Sequence, residues 1–438
     1  MTIATDPREP GKPSEQTEQT ESTVSVASLA PTGPDDTATR TIESVPRSAI
    51  VALSCAAFGS GISLRVTDPL LPRLASDFGV SLGSASYVIT CFAVAYGIAQ
   101  LFFGPVGDRF GKYLVIAWAC VASVFAALLC ALAPSFATLL AARLVAGAMA
   151  AAVIPLSMAW IGDVIPYDQR QPVLARFLIG QIFGLSSGVF LGGFAADHAS
   201  WRLPFFIAAA LFAVISIVLF FANRRLPDHA RVMRKSEGNA MARIVTDFSH
   251  VLSRPWAKVV LGTVFLEGAF LYGAFAFIAS HLHRVYQLSL STAGALLMLF
   301  GAGGFLYAVC SRFLSTRLGE SGLAFGGALI LLMSLLMTGL APVWWWAIPG
   351  CFFTGLGFYM LHNTLQINAT QMAPERRGVA VSAFASCFFM GQSVGVGLAG
   401  ILVEQRGTPA VIVIGAIGVC TVGLNFWRLL RVKLAASN

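Results

Sequence analysis

The fold of this chain is decided by residues 104–112, which read Gly104-Pro-Val-Gly107-Asp108-Arg109-Phe-Gly111-Lys112. Apolar segments lie on both sides, so this polar stretch is a short connection between two hydrophobic helices. Its glycines permit close contact between helices, and its Asp and Arg side chains can bind the ends of neighbouring helices. The stretch therefore predicts a charged loop that is anchored between tightly packed helices.

Outward from this loop, the sequence is dominated by long apolar segments. Of the 438 residues, 56% are hydrophobic and only 11% are charged, whereas an ordinary soluble domain has about 25% charged residues. A membrane-spanning helix needs about 20 mainly apolar residues. Twelve segments have that length: 48–70, 84–104, 114–133, 136–160, 173–195, 203–222, 258–280, 290–312, 322–341, 343–368, 378–402 and 409–428. We predict an all-α membrane protein with twelve transmembrane helices.

The polar segments divide the chain into five regions. We predict an acidic, disordered tail at 1–45, a six-helix half at 46–222, a basic linker at 223–257, a second six-helix half at 258–430 and a cytoplasmic tail at 431–438. The linker contains a predicted amphipathic helix, whose apolar face is formed by Ile244, Val245, Phe248, Val251 and Leu252. This helix is either a lipid-binding element or a simple tether between the halves.

The two halves resemble each other in sequence. Pro166-Tyr-Asp-Gln-Arg follows the fourth span, and Pro374-Glu-Arg-Arg follows the tenth span, 208 residues later. Each is followed by a glycine-rich helix, with glycines at 180, 184, 188, 192 and 193 in the first half and at 391, 395, 397 and 400 in the second. Two related six-helix halves around a central site are an architecture typical of transporters.

The net charge of +8 is unevenly distributed along the chain. The tail at 1–45 has three basic and eight acidic residues, a net charge of −5, which leaves +13 on the remainder. With a cytoplasmic N-terminus, 23 of the 29 basic residues face the cytoplasm, and the outer loops contain only Arg73, Arg202, Arg284 and Arg406. This asymmetry predicts a multi-pass membrane protein with both termini in the cytoplasm. The membrane that we expect is the bacterial inner membrane. The basic charge is therefore a sign of topology and not of nucleic-acid binding.

The loop at 104–112 resembles the signature loop of the major facilitator superfamily, G-x-x-x-D-R-x-G-R/K, and matches every constrained position. The resemblance covers residues 46–430 and implies the major facilitator fold, in which two pseudo-symmetric six-helix halves carry solutes across the membrane. In that family the loop latches the two halves together in the outward-open state. The resemblance therefore gives a gating role to Asp108 and Arg109, in a loop completed by Gly104, Gly107, Gly111 and Lys112.

Two further stretches resemble the 12-span drug/proton antiporters of this superfamily. The fourth span contains Leu139-Leu-Ala-Ala-Arg143-Leu-Val-Ala-Gly147, which is similar to the motif L-x-x-x-R-x-x-Q-G, with Ala146 in place of the usual Gln. The first span ends in Arg65-Val-Thr-Asp68-Pro69, and some of these exporters have an acidic residue at this point. The resemblance implies that Arg143 takes part in proton coupling. Asp68 either pairs with Arg143 and releases it on protonation, or pairs with Arg65 one helical turn away.

Glu267 lies near the middle of the seventh span. An ionised carboxylate at that depth costs about 2.5–3.5 kcal/mol on the scale from insertion experiments. We expect a reversible proton carrier or a counter-charge for a cationic substrate. The alternative is a structural glutamate that is permanently protonated or paired with an arginine. Glu267, Asp68 and Arg143 are the predicted proton-coupling residues.

Polar side chains elsewhere in the spans are candidates for substrate contact. They are Tyr96, Gln100, Gln181, Tyr272, His362 and Asn363. His362 and Asn363 either contact substrate or form hydrogen bonds between helices at the inner gate. His281 and His283, at the outer end of the seventh span, are expected to be in contact with water.

The chain lacks the H-E-x-x-H signature of metalloproteases and the G-x-x-x-x-G-K-[ST] signature of ATP-driven pumps. We therefore predict that the protein is not an enzyme and has no cofactor or metal. The predicted function is proton-coupled export of small apolar or amphipathic compounds by a monomeric secondary transporter with rocker-switch alternating access. Its predicted partners are a small-molecule substrate, protons and membrane lipids. The alternatives are a proton symporter that imports a small organic metabolite, and a transporter-like sensor or scaffold that uses the acidic tail.

Overall fold

The computed structural model describes residues 46–231 and 240–437, and within these ranges the chain is almost wholly helical. The predictions for the tail at 1–45 lie outside the described residues. The α-helices are α1 (Arg47–Arg65), α2 (Leu71–Phe78), α3 (Leu82–Ala85), α4 (Tyr87–Phe110), α5 (Lys112–Ala131), α6 (Phe136–Ala150), α7 (Val153–Val164), α8 (Tyr167–His198), α9 (Leu203–Arg224), α10 (Ala240–Ser253), α11 (Pro255–Phe275), α12 (Ile278–Tyr286), α13 (Leu290–Leu340), α14 (Ala347–Gln371) and α15 (Arg377–Ser437).

Within the described ranges, nine helical stretches are long enough and apolar enough to cross a membrane. Two of them, α13 with 51 residues and α15 with 61 residues, are long enough for two spans each. The chain bends within them, at Gly319 and at Gly407. These glycines have positive φ values of 63° and 76°, which other residues rarely adopt. Each of the two helices can therefore cross twice, and α14 adds a further helix of 25 residues.

The all-α membrane fold is therefore confirmed, and the arrangement is consistent with twelve spans. The connections differ from the predicted ones at two places. Short loops are predicted at 313–321 and 403–408, but at each place two helices meet directly at a single non-helical glycine, Gly319 or Gly407. The last helix also extends to Ser437, through most of the predicted tail at 431–438.

The two six-helix halves meet mainly along α4 with α15 and along α8 with α13. Because successive spans alternate in direction, residues 104–112 lie on one side of the membrane, here called the loop side, and the end of α1 lies on the opposite, far side. On the far side the two halves touch backbone to backbone. A Cβ atom added at Gly83 would lie 2.1 Å from the carbonyl oxygen of Gly400, and one added at Gly193 would lie 2.2 Å from that of Leu290.

The contact between α4 and α15 continues inward to Gly97, whose carbonyl oxygen accepts a hydrogen bond of 2.7 Å from Ser386 Oγ. Beyond this level the surroundings change. A Cβ atom added at Gly104 of α4, or at Gly378 of α15, would have no described atom within 4 Å. The halves are therefore closed against each other on the far side and parted on the loop side.

Within each half, a glycine-rich helix packs directly on the first helix of that half. A Cβ atom at Gly184 of α8 would lie 2.2 Å from the carbonyl oxygen of Phe58 in α1. The corresponding distance in the second half is 1.9 Å, between Gly391 of α15 and Phe265 of α11. Small residues permit this close approach between membrane helices. The similarity of the halves that the sequence shows is therefore repeated in their packing.

The linker helix α10 is docked on the second half. Val251 is fully buried there and Phe248 packs beside it, whereas Leu252 is exposed. Asp247 forms an ion pair with Arg376, and Arg254 pairs with Glu375 across 3.0 Å. This helix is therefore bound to the loop that precedes α15, and its contact with lipid stays a prediction.

Replacing Gly193 by alanine is expected to force the far side open. The added methyl group cannot fit 2.2 Å from the Leu290 carbonyl oxygen, and overpacking of this kind costs about 1–3 kcal/mol. The distance between nitroxide labels at Ser76 and Gln287, in a variant without its native cysteines, should shift to longer values. Gly262→Ala is the matched control, because its methyl group would meet no described atom within 4 Å. Equal distances in both variants would contradict this account of the closed side.

Candidate functional site

Glu267 of α11 is completely buried and is hydrogen-bonded to His362 of α14. The distance between Glu267 Oε2 and His362 Nδ1 is 2.9 Å, and the two side chains are 0% and 18% exposed. The second carboxylate oxygen, Oε1, is buried and has no hydrogen-bond partner among the described residues. A titratable pair in which one member is partly accessible and the other has an unused oxygen can accept and pass on a proton. Its partner is thus a histidine, and not the arginine considered as an alternative.

Aromatic side chains surround the Glu267–His362 pair. The imidazole ring lies 4.7 Å from Phe388, 4.8 Å from Phe358 and 5.2 Å from Phe384. Tyr272, about one and a half turns further along α11, packs edge-on against Phe358 and Phe388 at 5.8 and 5.4 Å. These four aromatic rings, here called the aromatic lining, are buried within the second half. Aromatic groups around a small number of polar groups are typical of sites for small organic ligands.

Arg65, at the end of α1, reaches from the first half into the second. Its guanidinium carbon lies 3.7 Å from the ring centroid of Tyr272, and its Nη2 donates to Gln392 Oε1 across 3.4 Å. Its Nη1 lies 3.4 Å from Asp68 Oδ2 in its own half. A cation–π contact away from water contributes about 2 kcal/mol. Arg65 therefore links the two halves at a level between the Glu267–His362 pair and the far side of the membrane.

Arg143 of α6 is 1% exposed and is held mainly by backbone carbonyl groups. Its Nε donates to the carbonyl oxygen of Val88 at 3.1 Å, and its Nη1 donates to that of Ser63 at 3.2 Å. Nη2 lies 3.5 Å from Thr67 Oγ1, and the guanidinium stacks over Phe92 at 4.2 Å. These contacts provide hydrogen-bond acceptors for the buried guanidinium of Arg143 without a carboxylate partner.

Asp68 is fully buried, and in this conformation its ion-pair partner is Arg65. Of the two pairings that the sequence left open, the one with Arg65 is therefore formed. Arg143 also lies close to Asp68, since it contacts Thr67, the residue that precedes Asp68. Asp68 Oδ1 has no hydrogen-bond partner among the described residues. Asp68 and Glu267 are thus both buried carboxylates with one unused oxygen, and their roles in proton coupling stay predictions.

The other candidates for substrate contact lie in three separate places. Tyr96 of α4 is buried against Phe389 of the second half, with ring centroids 4.1 Å apart. Gln100, one turn further, is buried, and its Oε1 has no partner among the described residues.

Asn363 donates to Tyr307 Oη at 2.8 Å and so joins α14 to α13. Gln181 is half-buried where α8 crosses α1. Only Tyr272 and His362 of the predicted set are therefore gathered around Glu267.

The predicted gating loop is anchored within the first half. Lys112 Nζ lies 2.7 Å from both Asp108 Oδ1 and Asp163 Oδ2, and Asp163 lies near the end of α7. Gly111 has a φ of 88°, and a Cβ atom at Gly107 would lie 2.7 Å from Leu156. Arg109 is exposed. This geometry fits a loop that is released from the second half while the loop side is open.

His281 corrects one expectation from the sequence. The side chain is 1% exposed and its Nδ1 lies 3.0 Å from Thr408 Oγ1, so it is not in contact with water. It also packs edge-on against Tyr286 at 5.6 Å. The sequence position at the end of a span gave no sign of this, because α12 folds back into the second half and α15 covers it.

The helices define a multi-pass membrane protein of two similar halves, and the buried titratable Glu267–His362 pair inside the second half is typical of membrane transporters. A sequence profile of the Major Facilitator Superfamily matches residues 53–395, and the chain belongs to that family. The predicted resemblance is confirmed, and with it the conclusion that the protein is a transporter and not an enzyme.

Relatives and solved structures agree with this assignment. The chain is 28% identical over 80% of its length to the uncharacterized MFS-type transporter YceJ of Bacillus subtilis (strain 168), and covers 87% of that protein. It is 25% identical over 81% of its length to the bicyclomycin resistance protein homolog of Haemophilus influenzae, and covers 88% of it. The crystal structure of the nucleoside transporter NupG superposes with a TM-score of 0.71 at 14% identity, over 86% of this chain and 98% of that one. That structural likeness shows the shared fold.

Proposed function

We propose that the protein exports small apolar or amphipathic compounds in exchange for protons. The observation that carries this proposal is the Glu267–His362 pair, a fully buried carboxylate with one unused oxygen and a partly exposed histidine partner. A carboxylate at this depth can bind a proton, and the aromatic lining around it can bind an apolar or cationic compound, so that the two alternate at one site.

The direction of transport is supported by relatives and by the sequence. The relatives include a bicyclomycin resistance protein homolog and, over 36% of this chain, the multidrug export protein EmrB of Escherichia coli (strain K12) at 30% identity. Arg143, in a motif that resembles those of drug/proton antiporters, is buried close to Asp68. We place the protein in a bacterial inner membrane as a monomer in contact with lipid, with the loop side and both termini in the cytoplasm.

In this orientation the described conformation is open to the cytoplasm. A compound from the cytoplasm or the inner leaflet enters between the parted halves and reaches the aromatic lining. Rocking of the halves then closes the loop side, where Asp108 and Arg109 would bind the second half, and opens the far side. Protons that enter from outside protonate Glu267 and favour the return of the empty carrier.

The direction of coupling can be measured in inside-out membrane vesicles that contain the protein. When the vesicle interior is made acidic, a panel of amphipathic cations and neutral apolar compounds should include some that accumulate inside, and collapse of the pH gradient should release them. A proton symporter would instead move its substrate out of an acidic vesicle. Accumulation only under the opposite gradient would therefore overturn export in favour of import.

A further inference from the structure

On the far side, two carboxylates bind helix N-termini across the interface between the two halves. Each half supplies one of the two carboxylates. Asp197, near the end of α8, accepts hydrogen bonds from the backbone N–H groups of Leu290 and Ser291 at the start of α13, at 3.2 and 2.5 Å. Glu404, in α15 just before its bend, accepts one from the backbone N–H of Gly83 in α3 at 2.6 Å. In both cases the acceptor belongs to one half and the donors to the other.

These contacts are related by the internal repeat. Ser81 caps α3 by accepting a hydrogen bond from Ser84 N, and Ser289 caps α13 by accepting one from Thr292 N, each at 3.1 Å. The two capping serines are 208 residues apart, the same offset as the repeated proline motifs. Asp197 and Glu404 are 207 residues apart. The two halves therefore make the same kind of contact twice, in opposite directions.

These hydrogen bonds can stabilise the state in which the far side is closed, and they can also break when the halves part. The first N–H groups of a helix have no partner within the helix and carry partial positive charge, so a carboxylate is a favourable acceptor for them. Both carboxylates are exposed, so water can replace them when the halves part. An exposed charge at a helix N-terminus changes an equilibrium by about 2- to 5-fold.

We propose that Asp197 and Glu404 are reciprocal latches, which together hold the far side closed while the loop side is open. The contacts of both carboxylates have to break in the same movement, because the donors and acceptors are divided between the same two rigid halves. Loss of either latch therefore weakens the other. This inference rests on the alternating access of the proposed function, but not on its ion, its substrate or its direction.

Hydrogen–deuterium exchange of the purified protein in lipid nanodiscs, without substrate and at one pH, tests the latches. The variants are Asp197→Asn and Glu404→Gln, which keep the shape and remove the charge. The readouts are the peptides that cover residues 80–90 and 288–296, because these contain the donor N–H groups. Asp77→Asn is the matched control, since Asp77 is on the same side but pairs within its own half with Arg73 at 3.0 Å.

We expect each latch variant to speed exchange about 2- to 5-fold at both peptides, including the one that its own carboxylate does not touch. The double variant should exceed either single variant, and Asp77→Asn should match the wild type. Exchange in the first turns of α5, which lie on the loop side, should be unchanged and so show that the fold is intact. Faster exchange confined to the peptide next to the altered carboxylate would overturn the proposal and leave two independent helix caps. Because no gradient or substrate is present, this result is independent of the transport assays.

Discussion

Glu267→Gln is expected to reduce transport driven by a pH gradient to the level of vesicles without the protein. Glutamine keeps the size of the side chain and can still hydrogen-bond to His362, but it cannot gain or lose a proton. Exchange of labelled for unlabelled substrate across the membrane, with equal pH on both sides, should persist because it needs no net proton movement. The measurement is uptake into inside-out vesicles under both conditions, with the same compound.

The control for this variant makes the same chemical change elsewhere in the second half. Glu320 lies beside the bend of α13 and accepts a hydrogen bond from Asn368 Nδ2 at 3.1 Å, outside the aromatic lining. Glu320→Gln should therefore transport as the wild type does. Gradient-driven uptake that survives Glu267→Gln would remove this residue as the proton carrier and leave Asp68 as the candidate.

Arg65→Met is expected to destabilise the protein strongly, and Asp68→Asn is expected to restore much of that loss. Removing one partner of a buried ion pair leaves an uncompensated charge and costs about 3–5 kcal/mol. In the double variant Arg65→Met/Asp68→Asn no charge is left unpaired by the change. Thermal unfolding in detergent should therefore give the lowest midpoint for Arg65→Met and a higher one for the double variant.

Restored stability should not be accompanied by restored transport, because the double variant still lacks the contacts of Arg65 with Tyr272 and Gln392. A second comparison separates the two partners that the sequence proposed for Asp68. Arg143 is held by the carbonyl groups of Val88 and Ser63, so Asp68→Asn should not rescue Arg143→Met. If rescue occurs with Arg143 and not with Arg65, the ion pair described above is not the one that stabilises the protein.

The positions of the helices could be predicted from hydropathy because each span must satisfy its own backbone in the membrane. The bends at Gly319 and Gly407 could not, since a glycine with positive φ looks like any other glycine in sequence. Glu267 could be identified by its depth alone. Its partner His362 is 95 residues away, and the rotation of α14 that brings it there depends mainly on packing against α13.

Residues whose function depends on the contact between the halves were the ones that sequence reasoning missed. Arg65 was considered only as a neighbour of Asp68, because nothing in the sequence shows its reach to Tyr272. Asp197 and Glu404 lie at the ends of spans, where acidic residues are ordinary. A usable signal was nevertheless present: the 208-residue repeat that relates the proline motifs also relates Ser81 to Ser289. The same offset, to within one residue, also relates Asp197 to Glu404.

Proton release from the purified protein tests most directly whether substrate and proton compete at Glu267. A compound that the vesicle panel shows to be transported is added to the protein in weakly buffered detergent solution, and the pH is followed with a dye. We expect the wild type to release protons on binding and Glu267→Gln to bind the compound without release. Binding to the wild type without proton release, or equal release from both proteins, would contradict the account.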